Sequence, residues 1–80
     1  MTKEDMLMNI QYRDFNLRTG KKIKNLRIEK QLTREHLAEL AEISTKFLYE
    51  IEIGKKGCSA YVLYRLARSL TVSADFLISE

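Results

Sequence analysis

Four times along the chain an apolar residue is followed by serine or threonine and then, four places later, by a second apolar residue. The instances are Leu32-Thr33…Leu37, Ile43-Ser44…Leu48, Cys58-Ser59…Leu63 and Val72-Ser73…Leu77. A hydroxyl at an N-cap accepts a hydrogen bond from an orphan backbone N–H of the first helical turn. The flanking apolar pair is the hydrophobic staple that fixes how the chain enters the helix. Each instance opens an amphipathic run, so the pattern predicts helices near 34–41, 45–53, 60–70 and 74–79. Upstream, Ile23, Leu26 and Ile28 mark another helix over roughly 17–30. Gly54 and Gly57 follow the third helix, where a left-handed residue commonly ends one. In residues 1–15, Met8, Ile10 and Tyr12 alternate with Asn9, Gln11 and Arg13, a strand period. This segment reads as an extended arm that packs on the domain or pairs with a partner's arm, or else as a frayed tail. The expected fold is all-α: a five-helix bundle preceded by a short extended arm.

With 80 residues the chain holds a single small domain, here residues 16–80, with 1–15 as the arm. A composition of 45% hydrophobic and 31% charged residues with no proline suits a folded helical unit rather than a disordered one. The net charge of +3 is too mild to name a partner. Its distribution says more: Lys21, Lys22, Lys24, Arg27, Lys30 and Arg34 cluster against Glu29 alone, and Lys55-Lys56 form a second group. Such a run is either a solvated helix face or a docking surface for an anionic partner. A single cysteine, Cys58, excludes an internal disulfide. No apolar run is long enough to cross a membrane, so a soluble cytoplasmic protein is expected. His36 and Cys58 are the sole histidine and cysteine, too few for a zinc site. With no glycine-rich phosphate loop and no visible carboxylate pair, neither cofactor nor catalysis is expected.

Residues 34–53 then form two short helices around a tight turn. The first offers Leu37, Ala38 and Ala41 on one face, and small Ala38 allows a close crossing. The second offers Phe47, Leu48 and Ile51 to the core. Its other face presents Thr45, Lys46, Tyr49 and Glu50, and a helix held this way can enter a major groove.

The chain resembles the XRE family of helix-turn-helix domains, the type found in Cro and the lambdoid phage repressors. The resemblance rests on Gly20-Lys-Lys-Ile-Lys-Asn-Leu-Arg27, Leu32-Thr-Arg-Glu-His-Leu-Ala38, Ile43-Ser44, Ile51-Glu-Ile-Gly54 and Leu66-Ala-Arg-Ser-Leu-Thr-Val-Ser-Ala-Asp-Phe-Leu77. No piece is specific alone; their order and spacing are. The resemblance implies a transcriptional regulator of double-stranded DNA, most simply a repressor without an effector domain, with 45–53 as recognition helix. It matches Thr45, Lys46, Tyr49 and Glu50 to base-contacting positions, and Arg34, Lys55 and Lys56 to phosphate contacts. It matches Arg27 and Glu52 to an ion pair joining the first helix to the recognition helix. Two positions depart from the pattern. Glu42 stands where glycine is common in the turn, and Cys58 stands where proline is common, as a small apolar group. Phe76, with Tyr61 and Tyr64, adds aromatic surface that is either a dimer interface or further core. A two-fold homodimer would read a near-palindromic operator with recognition helices about 34 Å apart. The alternative is an antitoxin-like module that uses the same fold to bind a partner protein.

Overall fold

The computed structural model describes residues 2–80. Five helices follow in order: α1 (Lys3–Glu29), α2 (Arg34–Ala41), α3 (Thr45–Glu52), α4 (Ala60–Ser69) and α5 (Ala74–Ile78). No strand occurs among the described residues. All four expected hydroxyl caps are present: Thr33, Ser44, Ser59 and Ser73 accept from the amides of His36, Phe47, Val62 and Phe76 at 3.0–3.1 Å.

The links between helices share a second device. Gln31, Glu42 and Thr71 each adopt a left-handed conformation, with φ near 60°. After each, the next amide reaches back five residues to close the preceding helix: Leu32 to the Arg27 carbonyl, Ile43 to Ala38 and Val72 to Ala67, all at 3.0 Å. This is the Schellman closure. The apolar residue donating that bond is also the staple of the next helix, and all three pack against the core. One side chain therefore ends one helix and starts the next, which keeps the links short and rigid. Gly54 plays the left-handed part after α3, at φ 77°, and there a side chain would also collide with Leu17.

The core is built from Ile23 of α1, Leu37, Ala38 and Ala41 of α2, Leu48 and Ile51 of α3, Leu66, Ala67 and Leu70 at α4, and Leu77 of α5. Cys58 lies half-buried against it, and burial pushes its thiol up in pKa, as befits a packing group rather than a nucleophile. Gly20 lets α1 cross the end of α3 at backbone contact, since a methyl there would overlap the Ile51 carbonyl.

The expected extended arm is instead helical. α1 runs unbroken for 27 residues from Thr2, whose side chain accepts from the Asp5 amide while Asp5 accepts from the Thr2 amide. This capping box was legible in the sequence as Thr2-x-x-Asp5. The alternation of Met8, Ile10 and Tyr12 imitates a strand because this part of the helix carries apolar residues on more than one side. Met6 and Leu7 break the alternation, and nothing before Gly20 breaks the helix.

A buried ion pair locks α3 to α1. Arg27 Nε donates to Glu52 Oε2 at 2.7 Å and Arg27 Nη2 to Oε1 at 3.2 Å, while Nη1 donates to the Leu32 carbonyl at 3.0 Å. The expected pairing of these residues is what the geometry shows, and the Glu52 side chain has 0% exposure.

Two stability outcomes follow. Glu42→Gly should raise stability by about 1 kcal/mol in urea unfolding, because it relieves left-handed strain and loses only an exposed contact to Arg65 at 3.4 Å. A lower unfolding midpoint would contradict the strain argument. Glu52→Ala should cost roughly 3–5 kcal/mol, since it strands a buried guanidinium. A loss below about 1 kcal/mol in the same assay would class the pair with surface bridges.

Candidate nucleic-acid interface

The outer face of α3 follows from its periodicity. Phe47, Leu48 and Ile51 turn inward, which leaves Thr45, Lys46 and Tyr49 exposed near the start of the helix. Ile53, just past the helix end, shares that face and remains 42% exposed. The sequence reading passed over Ile53, although its place four after Tyr49 and seven after Lys46 puts it on the same stripe.

Glu50 departs from expectation. It was expected on the solvent face, but only 7% of it is exposed. Gly54 folds the chain back, so the Lys55 and Lys56 amides donate to the Glu50 carbonyl at 2.9 and 3.2 Å. Their side chains close over its carboxylate: Lys56 Nζ lies 3.5 Å from Oε1 and Lys55 Nζ 3.9 Å from Oε2. Glu50 is thus the anchor of the two lysines rather than a neighbour of Lys46 in solvent. Helical phase places Glu50 on the flank of α3, and only the path of the following loop decides that the flank is covered.

Arg34 also has a place the sequence did not give. Its Nε donates to Glu52 Oε1 at 3.0 Å, so the buried carboxylate takes two guanidiniums, one from α1 and one from α2. Its guanidinium carbon lies 5.3 Å from the centroid of the Tyr49 ring. Arg34 retains 28% side-chain exposure beside the outer face of α3. Tyr49 is therefore held from below by a cation while its own ring stays exposed.

The basic run of the sequence divides once folded. Arg27 and Arg34 are committed to Glu52. Lys22 turns the other way and closes the end of α5, donating to the Phe76 and Ser79 carbonyls at 2.9 and 2.7 Å. Lys21, Lys24 and Lys30 remain exposed. The cationic surface beside Thr45, Lys46 and Tyr49 is therefore Arg34 on one flank and Lys55-Lys56 on the other.

The three aromatic residues considered for an interface fall into two settings. Tyr61 and Tyr64 line an open groove with Leu40, Glu42, Arg65 and Arg68. Phe76 lies on α5 against Lys22. Each residue stays exposed, with a cation of its own chain near the ring: Arg65 by Tyr61 at 4.6 Å, Arg68 by Tyr64 at 5.8 Å and Lys22 by Phe76 at 5.1 Å. His36 is exposed on the first turn of α2. Among the described residues no helix is both long and apolar enough to cross a membrane.

The fold is similar to those of known regulators. The clp gene regulator ClgR of Corynebacterium glutamicum has 27% identity, a TM-score of 0.76 and coverage of 79% of this chain and 67% of its own. The restriction-modification controller protein C.AhdI of Aeromonas hydrophila has 26% identity, a TM-score of 0.75 and coverage of 78% and 94%. No curated protein sequence matches. A family model described as a helix-turn-helix domain matches residues 20–80, from the α1–α3 crossing glycine to the last residue. With α2 and α3 as its two helices, the chain belongs to the XRE-type helix-turn-helix family of DNA-binding transcriptional regulators.

Proposed function

We propose that the chain is a sequence-specific repressor that seats α3 in the major groove of duplex DNA and blocks transcription by occupying its operator. The observation that carries this reading is the face of α3. Thr45, Lys46 and Tyr49 are exposed on a helix whose opposite side is locked by Leu48, Ile51 and Glu52, with cations on both flanks. Lys46 can donate to guanine O6 or N7, Thr45 can pair with several base edges, and Tyr49 can meet a thymine methyl or a phosphate. Arg34, Lys55 and Lys56 contact phosphates and set the register of the helix on the duplex. Glu50 acts through the two lysines it holds. This removes it from the set of base readers that the resemblance suggested and makes it a positioning group. A DNA target implies the cytoplasm, and the chemistry is binding, without catalysis. The protein works as a homodimer on a near-palindromic site, as the two-fold repeat of operator half-sites requires of a single reading helix per chain. Regulation of a gene by ClgR and control of restriction-modification by C.AhdI, as their names state, support the same reading.

Selection of bound sequences from random duplex DNA, followed by titration at several salt concentrations, tests this. A short palindrome should be enriched, and its affinity should fall steeply with salt as phosphate counterions are released. Lys46→Ala should cost about 1–3 kcal/mol on that site and relax discrimination at one base pair. Lys56→Ala should weaken all sequences alike and lower the salt slope by about one. No enrichment, with weak binding indifferent to Lys46, would move the chain to the partner-protein class.

A further inference from the structure

The first half of α1 projects from the domain and touches it only near its end, at Tyr12. Residues 2–14 are all exposed. A 27-residue helix is about 40 Å long, which accounts for a molecule measuring 42 Å along one axis but 23 and 20 Å along the others. On this projecting segment Met6, Leu7, Met8, Ile10 and Tyr12 are each more than half exposed. An unsupported helical segment of this length is marginal in water, and a run of uncovered large apolar side chains marks an interaction surface.

The body claims one side of the segment. Tyr12 and Phe15 turn toward Gly57, Cys58 and Leu63, in line with buried Asn16, Thr19 and Ile23. Roughly opposite lies a second stripe at alternating spacings of four and three: Lys3, Leu7, Ile10 and Asp14, whose carboxylate also accepts from Arg18 Nε at 3.0 Å but stays exposed enough to take a second cation. That is the spacing of a two-helix seam. Its charges choose the occupant. If two copies of the segment lie antiparallel about a two-fold axis between Met8 and Asn9, each Leu7 faces Ile10 and each Lys3 faces Asp14. A parallel pair would set lysine against lysine and aspartate against aspartate. The stripe is thus complementary to itself in one orientation, the property an isologous interface requires.

We infer that residues 3–14 form a docking surface for a second copy of this chain, pairing antiparallel through Leu7 and Ile10 and closed at both ends by Lys3 and Asp14. The aromatic groups of α4 and α5 are exposed as well, Tyr61 by 65%, but each ring already has a cation of its own chain beside it, and Phe76→Ser separates that surface from the arm. The seam is only about 18 Å long at 1.5 Å per residue. It therefore falls short of a standard interface of about 800 Å² per partner, and the dimer is weak and concentration-dependent. The pairing stands apart from DNA recognition, so its success or failure is read without DNA.

Sedimentation equilibrium of the full chain over a wide concentration range tests it. The wild-type chain should show a monomer–dimer equilibrium, and Leu7→Glu with Ile10→Glu should raise its dissociation constant at least about tenfold. Circular dichroism melting should show that α2 to α5 remain folded in that variant. Lys3→Asp and Asp14→Lys should each weaken the dimer alone, because each sets like charges face to face. An equal mixture of these two single variants should restore it as a heterodimer, in which every end pair is opposite in charge. The inference is overturned if the wild-type chain stays monomeric throughout, if the Leu7/Ile10 variant dimerises as well as wild type, or if Phe76→Ser dissolves the dimer while the arm variants leave it intact.

Discussion

The structure depends on one carboxylate. Glu52 sits at the end of α3 with no exposed side-chain surface and accepts hydrogen bonds from Arg27 of α1 and Arg34 of α2. A carboxylate in that position is costly unless its charge is matched and its lone pairs are filled. Three N–H donors in fixed fork geometry do both. The requirement works in reverse as well: α3 cannot rotate or slide without breaking contacts to two other helices. The pair need not add net stability to specify where the outer face of α3 points, and that direction is what the proposed reading role of α3 needs.

Around this point the fold uses steric closeness and short links to the same end. Gly20 brings α1 to the backbone of Ile51 and Glu52, so the Arg27 and Glu52 side chains meet without spanning a gap. The left-handed residues Gln31, Glu42 and Thr71 close each helix within one turn of the next. Glutamine, glutamate and threonine all stand where glycine would be less strained. Threonine, being β-branched, is the least suited of the three. The fold tolerates these because the apolar residue that follows each one is held in the core.

The surface proposed to face DNA is organised by anions beneath it. Glu52 carries Arg34, and Glu50 carries Lys55 and Lys56, so each flank of α3 has cations set in place by a buried or nearly buried carboxylate. Such pairing lowers the charge offered to phosphate but limits the conformations the long side chains must give up on binding. The projecting half of α1 is a separate construction. It is capped and largely exposed, with apolar residues on more than one side, and it reaches away from the body that holds α3.

Much of this was legible in the sequence, for a local reason. Caps, staples and the apolar stripes of α2 to α5 involve residues within about four of one another, and those interactions depend only on helical geometry. The exposure of Thr45, Lys46 and Tyr49 follows from the same periodicity, whereas the left-handed turn at Glu42 was marked by the family resemblance, in which glycine is common there. The family resemblance supplied the Arg27–Glu52 pair, which no local rule yields. The start of α1 was also written locally, in Thr2-x-x-Asp5, but a helix with apolar residues on two sides mimics strand alternation. Three things were settled only in three dimensions: the burial of Glu50 beneath Lys55 and Lys56, the second guanidinium on Glu52, and the turning of Lys22 to the end of α5. Each joins groups from different elements or depends on the path of a loop. Sequence by itself determined where the helices lie and which stripe of each is apolar; tertiary structure decided which charges meet, because that is set by how close the helices come and not by any residue's own preference.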